Sequence, residues 1–204
     1  MTTSTHPLFA EALAGLGLEL TVRAFPEGTR TAADAAAAIG CELSQIVKSL
    51  IFAADGVPVL VLMDGASRVD VEAVRREIGA GKVTRADAAV VRETTGYAIG
   101  GVPPFGHRTR TRVLADRRLL DHDVVWAAAG TPNTVFPMGP QELIEHAGAT
   151  PTYGKSPADR AAPPPDGRSP SKRGAGAHRA ERRARTSAWA RGSAVTDWAW
   201  ALVT

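Results

Sequence analysis

The chain has 204 residues, of which 44% are hydrophobic and 22% are charged, and its formal net charge is +3. This composition predicts a soluble globular protein and excludes a chain that is disordered throughout. No apolar run approaches the roughly 20 residues that a membrane-spanning helix needs, and the N-terminus lacks the pattern of a signal peptide. We therefore expect a cytoplasmic protein with no membrane partner.

The first third of the chain predicts two helices. One begins near Pro7, where apolar residues follow at helical spacing. The other begins at Thr31, with Asp34 at the spacing of a capping box, and ends at Gly40. A short polar turn from Ser44 to Lys48 comes next and leads into an apolar run.

The middle of the chain predicts a hairpin followed by two helices. The dipeptide Asp55-Gly56 is a strong hairpin signal, and it lies between an apolar run from Leu50 to Ala53 and another from Val57 to Met63. Helical patterns then run from Asp70 to Ile78 and from Ala86 to Thr94, and a glycine follows each of them.

Strands and one more helix complete the pattern. We expect strands from Thr111 to Ala115, from Val124 to Ala128 and near Val135, and a last helix from Pro140 to His146. Because strands pair through hairpins and do not alternate strictly with helices, the fold class is a mixed α/β (α+β) domain.

The charge and the composition change near residue 150. Residues 1–150 carry 14 Lys and Arg against 17 Asp and Glu, a net charge of −3, whereas residues 151–204 carry 10 against 4, a net charge of +6. The second segment is rich in Pro, Ala, Gly and Arg and has no sustained apolar period, which is typical of disorder. We predict a domain over 1–150 and a disordered basic tail over 151–204.

Two interpretations of the tail stay open. Its arginines, Arg182, Arg183 and Arg185 among them, could attach RNA without sequence preference, in which case the affinity would depend on salt. The other interpretation is an extension without function. Because the domain itself is slightly acidic, bulk charge does not indicate RNA binding by residues 1–150, and any RNA contact there must be local.

Several kinds of chemistry have no sequence signal here. The one cysteine, Cys41, cannot form an internal disulfide and has no Cys or His at metal-ligand spacing. The chain has no Gly-x-Ser-x-Gly, no His-Glu-x-x-His, no phosphate-binding loop and no dinucleotide fingerprint. We expect no metal, no organic cofactor and no Ser or Cys nucleophile.

A glycine-rich stretch is the first candidate for function. Residues 95–107 contain four glycines and two prolines. The adjacent Gly100 and Gly101 would let the backbone approach a ligand, and their amides could point at an oxyanion. An ordinary tight connection is the alternative, but a long rigid loop usually has a function.

Lys48 is the second candidate. It stands between apolar residues, where a lysine can hold a phosphate or a developing negative charge in a partly dry pocket. The alternative is a solvated side chain at the end of a strand, with its stem packed on the core. The pattern alone favours the alternative.

Several motifs taken together resemble the YbaK/EbsC and prolyl-tRNA-synthetase-associated editing domains. The resemblance runs in one order over about residues 5–150, and no single motif would carry it. The matching segments are Gln45 to Leu50, Val59 to Leu62 before Gly65, Lys82-Val83 before Ala86, Thr95-Gly96-Tyr97 with Gly100-Gly101, Pro104-Phe105-Gly106, and Ala129-Gly130.

The resemblance implies a mixed, mostly antiparallel sheet curled into a barrel-like core with helices outside. It also implies a trans-editing hydrolase that cleaves the ester between a wrongly attached amino acid and the 3′-terminal ribose of tRNA. Mischarged tRNA is then the expected partner, and an aminoacyl-tRNA synthetase is a second one to test. A non-catalytic binding module for aminoacyl-tRNA ends is the alternative function.

The resemblance also assigns residues. Lys48 is implied as the lysine that editing requires and that engages the phosphate of the terminal nucleotide, and we add the hypothesis that Gly101 stabilises an oxyanion. The implied substrate-binding residues are Gly65, Gly100, Pro104, Phe105 and Gly130. We add His107 as a residue that could contact substrate or act on a proton, with a solvated side chain as the alternative interpretation.

The chemistry can proceed without a protein nucleophile, because an aminoacyl ester is already activated and the ribose 2′-hydroxyl lies beside its carbonyl. Correct positioning of the ester would then supply most of the rate acceleration. Since one methylene is worth only about 1–3 kcal/mol in an apolar pocket, alanine, serine and cysteine all stay open. The segment Val102 to His107 differs from the Ile-Ser-Pro-Leu-Gly of members that remove cysteine, which disfavours cysteine.

Overall fold

A computed structural model describes residues 5–25 and 31–152. The predicted tail from 153 onward lies outside the described residues, so its disorder stays a prediction. The described part holds five α-helices: α1 (Pro7–Leu16), α2 (Ala32–Ile39), α3 (Val71–Ile78), α4 (Ala88–Thr95) and α5 (Pro140–Ala147). It also holds eight strands: β1 (Arg23–Ala24), β2 (Val47–Ala54), β3 (Val57–Asp64), β4 (Val83–Arg85), β5 (Arg112–Asp116), β6 (Val125–Ala128), β7 (Thr134–Met138) and β8 (Thr150–Thr152).

The predicted capping box begins α2. The Asp34 amide donates to Thr31 Oγ1 at 3.0 Å, and the Thr31 amide donates to Asp34 Oδ2 at 3.0 Å. These two bonds satisfy amide groups that the first turn of a helix otherwise leaves without a partner. Gly40 ends the helix in the left-handed conformation, as predicted.

The predicted hairpin joins β2 and β3 through Asp55 and Gly56. Both residues have positive φ, 48° and 84°, which is the geometry that two-residue hairpins favour. The two strands pair antiparallel along all eight of their residues. The Asp55 carboxylate accepts the amides of Gly81 and Lys82 at 2.8 Å each, which ties the chain before β4 to the turn.

The strands form two sheets. One has the order β4-β2-β3-β5-β8 and the other the order β1-β7-β6. The pairs β3–β5 and β5–β8 are parallel and the other four are antiparallel. A mixed, mostly antiparallel α/β arrangement is therefore confirmed.

The barrel-like closure implied by the family resemblance is wrong. A barrel requires the hydrogen bonding to continue around the whole circumference. Here the sheets meet through an isolated parallel bridge between Ile46 and Trp126. The far end of β2 pairs with β4, and in the described part of the chain the short strands β4 and β8 each pair on one side only.

Both faces of the hairpin β2–β3 are covered. Val47 and Ile51 point into a large apolar cluster that includes residues of α1, α4 and α5. Leu50 and Phe52, on the opposite face, pack in a second cluster with Val74 of α3. Since alternate residues of a strand point to opposite faces, Lys48 shares a face with Leu50 and Phe52.

The chain order of the elements is close to the prediction, and the differences have local causes. Helix α4 begins two residues later than predicted because Asp87 caps it, its carboxylate accepting the Val90 amide at 2.9 Å. Strands β1, β4 and β8 were not predicted, since two or three residues are too few to show an alternating pattern. Strand β8 runs across the predicted boundary at residue 150.

Among residues 5–25 and 31–152, no helix is long and apolar enough to span a bilayer.

Candidate functional site

Lys48 is buried at the start of β2, with 4% of its surface exposed. Its ammonium group donates to the backbone carbonyl of Gly65 at 3.2 Å and to that of Ser67. Both carbonyls belong to the segment that follows β3. The interpretation of Lys48 as a solvated side chain is therefore wrong.

Burial controls the charge of this lysine. Removal from water disfavours the charged form and lowers the pKa of Lys48 from about 10.5 to about 8, although the nearby Asp64 carboxylate acts in the opposite direction. At pH 7 the side chain is therefore mostly protonated. The Asp64 carboxylate lies 3.4 Å from the Arg118 guanidinium, which also contacts the Asp116 carboxylate at 3.1 Å. The Lys48 ammonium group therefore lies near both positive and negative side chains.

Two cavities meet at Lys48. We call the first the inner pocket; it measures about 40 Å³ and lies between the start of β2, the glycine loop (residues 96–107) and the ends of β6 and β7. Gly100, Val102, Trp126 and Ala128 are among its lining residues. A bound water needs roughly 10–15 Å³, so the inner pocket has room for a small group only.

The second cavity, which we call the outer cavity, measures about 450 Å³. It lies on the face of the five-stranded sheet to which Leu50 and Phe52 point, and it also includes Arg68 and Arg85. Lys48 thus borders a small, mostly apolar space and a larger, positively charged one.

Ser49 is a lining residue that the sequence interpretation missed. It borders the inner pocket, and its Oγ is buried without a hydrogen-bond partner among the described residues. The hydroxyl of Thr134, which also borders the pocket, is paired with that of Thr131 at 2.7 Å. Because a buried hydroxyl without a partner costs free energy, Ser49 is placed to bind a polar group of a ligand. The sequence did contain a signal for Ser49, because it is a hydroxyl residue next to Lys48 in a strand whose other residues are apolar.

Of the two predicted loop glycines, Gly100 reaches the inner pocket and Gly101 packs behind it. The Gly101 amide donates to the Ala98 carbonyl at 3.0 Å, inside the loop. A Cβ at this position would lie 2.7 Å from Thr131 Cα, closer than side chains pack. An oxyanion role for the Gly101 amide therefore requires this turn to open, and stays a prediction.

Two more predicted glycines allow close approach elsewhere. A Cβ at Gly65 would overlap the carbonyl oxygen of Leu43. A glycine therefore lets the segment after β3, whose carbonyls accept the Lys48 hydrogen bonds, pass close to the chain before β2. Gly130 has a φ of 98°, and a Cβ there would overlap the His6 side chain. Neither Gly65 nor Gly130 lines the inner pocket or the outer cavity.

Pro104, Phe105 and His107 belong to the second half of the glycine loop and line neither cavity. Phe105 packs against both Phe9 and Phe136 in the core, at ring separations of 5.7 and 5.9 Å. His107 Nε2 lies 2.8 Å from the Pro103 carbonyl, and burial lowers the pKa of His107, so the neutral ring donates this bond. These contacts hold the loop in shape, and a direct substrate contact by these residues stays a prediction.

In the part of the chain that the structure describes, no three His, Cys, Asp or Glu side chains lie together in a way that could hold a metal ion.

Comparison with known proteins gives consistent matches. A sequence model described as the aminoacyl-tRNA editing domain matches residues 26–146, a range that includes every candidate residue above. The uncharacterized protein YwhH of Bacillus subtilis (strain 168) is 35% identical over 128 residues, which are 62% of this chain and 81% of YwhH. Proline--tRNA ligase of Geobacter sp. (strain M21) is 32% identical over 92 residues, which are 45% of this chain but only 16% of the ligase.

A solved structure extends the match to the fold. It is described as that of a candidate trans-editing enzyme for prolyl tRNA synthetase, and it superposes with a TM-score of 0.71 at 41% sequence identity. The superposition covers 75% of this chain and 99% of that protein.

Proposed function

The chain belongs to the aminoacyl-tRNA editing domain family, and from that premise we propose that it is a deacylase that removes wrongly attached amino acids from tRNA in trans. The near-complete coverage of the structural neighbour described as a candidate trans-editing enzyme supports action apart from a synthetase. Mischarged tRNA is the proposed substrate. Association with a synthetase, a cytoplasmic location and RNA binding by the tail stay predictions.

The observation that carries the proposal is that Lys48 and Gly100 border the same small pocket. A cation at this place can hold a phosphate of the terminal nucleotide, which fixes the ester beside the pocket. Water attacks the ester carbonyl carbon, the bond from that carbon to the ribose oxygen breaks, and a proton from the water passes to the ribose oxygen, which releases the free amino acid and deacylated tRNA. If the ribose 2′-hydroxyl attacks first, the acyl group only moves to the 2′ oxygen, and water must then hydrolyse that second ester in the same way.

The size of the inner pocket supports a small amino acid. Its volume of about 40 Å³ and its walls of Val102, Trp126 and Ala128 suit a short side chain. An apolar pocket separates neighbours that differ by one methylene by only about 1–3 kcal/mol. Alanine, serine and cysteine therefore stay open as the residue removed.

A panel of charged tRNAs tests the proposal. Ala-, Ser- and Cys-tRNA(Pro) are incubated with the protein, with correctly charged Pro-tRNA(Pro) as the control. We expect rapid hydrolysis of at least one small aminoacyl ester and no hydrolysis of the prolyl ester above the spontaneous rate. A folded protein that hydrolyses none of them would contradict the proposal.

Binding without turnover is the second candidate function. Its supporting observation is that the Lys48 ammonium group already donates to two backbone carbonyls, so the cation is held in place without a substrate. A binding module would retain affinity for tRNA in the same panel and show no hydrolysis.

The lowered pKa of Lys48 predicts that RNA affinity depends on pH. In the free protein this group loses its proton as the pH rises through about 8, so its attraction for phosphate is complete below that pH and lost above it. The dissociation constant of deacylated tRNA, measured from pH 6.5 to 9.5, is therefore expected to rise above pH 8. Deacylated tRNA avoids the lability of the ester. A step of the same size in Lys48→Met would contradict this assignment.

Ser49→Ala is expected to keep the stability of the protein and lower its activity. The hydroxyl is buried and makes no hydrogen bond with the described residues, so we expect its removal to leave the free energy of unfolding unchanged or to raise it. Loss of one neutral hydrogen bond to substrate would lower kcat/KM by about 2- to 10-fold. Thr111→Val is the matched control, because Thr111 Oγ1 is also buried without a partner in the described chain, away from the inner pocket. Equal kcat/KM for Ser49→Ala and wild type would refute a substrate contact.

A further inference from the structure

The outer cavity is too large to be a packing defect. Its volume of about 450 Å³ is within the roughly 300–1,000 Å³ typical of ligand sites. Leu50, Phe52 and Val83, which pack in one apolar cluster, form an apolar wall of the cavity. The lining also includes three cations, Lys48, Arg68 and Arg85.

The charge of this cavity differs from that of the domain around it. Three of its lining residues are basic and none is Asp or Glu, although residues 1–150 have a net charge of −3. Arg68 repels the charged form of Lys48 and contributes to its low pKa. An anion that enters the cavity would gain from the positive charge of all three side chains.

We propose that the outer cavity binds a phosphorylated nucleotide of the single-stranded 3′ end of tRNA, with Arg68 and Arg85 on the phosphate and the apolar wall against the base. Each guanidinium has five N–H donors, so the contacts that Arg68 and Arg85 make inside the chain do not prevent phosphate binding. Exposed arginines together with an apolar wall suit a nucleotide because it has both a charged and a flat apolar part.

The position of Lys48 gives the direction in which the RNA strand runs. Lys48 borders both cavities, so an ester held at the inner pocket places the preceding nucleotides toward the outer cavity. This step rests on the proposed function, because it takes the inner pocket as the aminoacyl site. The charge and shape of the outer cavity do not depend on it.

The test measures RNA binding, separately from hydrolysis. The ligand is a fluorescent single-stranded RNA hexamer ending in CCA, without an amino acid, and its dissociation constant is measured at several salt concentrations. The variants are Arg68→Gln, Arg85→Gln and the double variant. Arg92→Gln is the matched control, because it removes the same charge from an exposed position of α4 that lines neither cavity.

We expect each of the two single variants to weaken hexamer binding about tenfold, since each removes a charge-assisted hydrogen bond to a phosphate. The slope of log K against log salt should decrease by about 0.7 for each phosphate that the variant no longer neutralises. Arg92→Gln should bind as wild type does. Equal affinities for all variants, or an equal weakening in Arg92→Gln, would overturn the proposal.

Two further outcomes separate related explanations. AMP and unlabelled hexamer are each used to displace the fluorescent hexamer. If AMP displaces it at the same concentration as unlabelled hexamer does, the cavity is a site for a free nucleotide, which would overturn the assignment to an RNA strand. Deacylation is measured in parallel on wild type. If the arginine variants lose RNA affinity and the wild type hydrolyses no ester, the nucleotide site stands and the proposed function fails. If the variants keep their RNA affinity and the wild type hydrolyses an ester, the proposed function stands and the nucleotide site fails.

Discussion

Lys48→Met is expected to lower kcat/KM for the edited tRNA by about 100-fold and to leave the protein folded. The charge of Lys48 is the feature that can hold the terminal phosphate beside the inner pocket. Loss of a charge-assisted hydrogen bond is worth about 1.5–3 kcal/mol, and a loss of about 2.7 kcal/mol corresponds to a factor of about 100 in rate.

Methionine is the informative replacement because it keeps the length of the buried side chain without its charge. The substitution leaves the carbonyls of Gly65 and Ser67 without their donor, which destabilises the fold. It also removes a cation from a buried site, which stabilises the fold. Because these effects oppose each other, we expect the free energy of unfolding to change by less than about 2 kcal/mol, whereas Lys48→Ala would add a cavity.

Lys82→Met is the control for this experiment. Lys82 is the other lysine in the described residues, and it is exposed and borders neither cavity. Thermal unfolding shows whether each variant is folded, and deacylation of the preferred substrate gives kcat/KM. A folded Lys48→Met with the kcat/KM of wild type would remove Lys48 from the mechanism.

The sequence predicted those features of the fold that depend on neighbouring residues. The capping box at Thr31 and the turn at Asp55-Gly56 are set by interactions within four residues, and both formed as expected. The closure of the sheets depends on contacts far apart in the chain. Ile46 meets Trp126 across 80 positions in a single bridge, and no local pattern shows whether such pairing continues into a closed barrel.

The candidate site shows the same limit. A glycine in a sequence indicates that something lies close to the backbone, but not what it is. Gly100 faces the inner pocket, whereas the space at Gly65 and Gly130 is taken by other parts of the same chain. Arg68 and Arg85 come together at one cavity because β2 pairs with β4, which is a pairing that the sequence pattern did not predict.

Gly101→Ala is expected to destabilise the protein by about 3 kcal/mol, at the upper end of the usual cost of overpacking. The new Cβ would lie 2.7 to 2.9 Å from the backbone N, Cα and C atoms of Thr131, and backbone atoms cannot rotate away as a flexible side chain can. The glycine loop must therefore move off the turn at Gly130. A displacement of about 1 Å can cost roughly 100-fold in rate, and Gly100 and Val102 would move with the loop, so kcat/KM should fall by at least about tenfold.

Gly15→Ala is the matched control, because a Cβ at Gly15 of α1 meets no atom within 4 Å. Alanine favours a helix over glycine by about 1 kcal/mol, so this variant should melt at or above the wild-type temperature. Gly101→Ala should melt roughly 6–12 °C lower. Alanine keeps the backbone N–H, so any loss of activity comes from the displaced loop and not from a missing oxyanion donor. An unchanged melting temperature would show that the loop and the turn accommodate a side chain, and would contradict the close packing at Gly101.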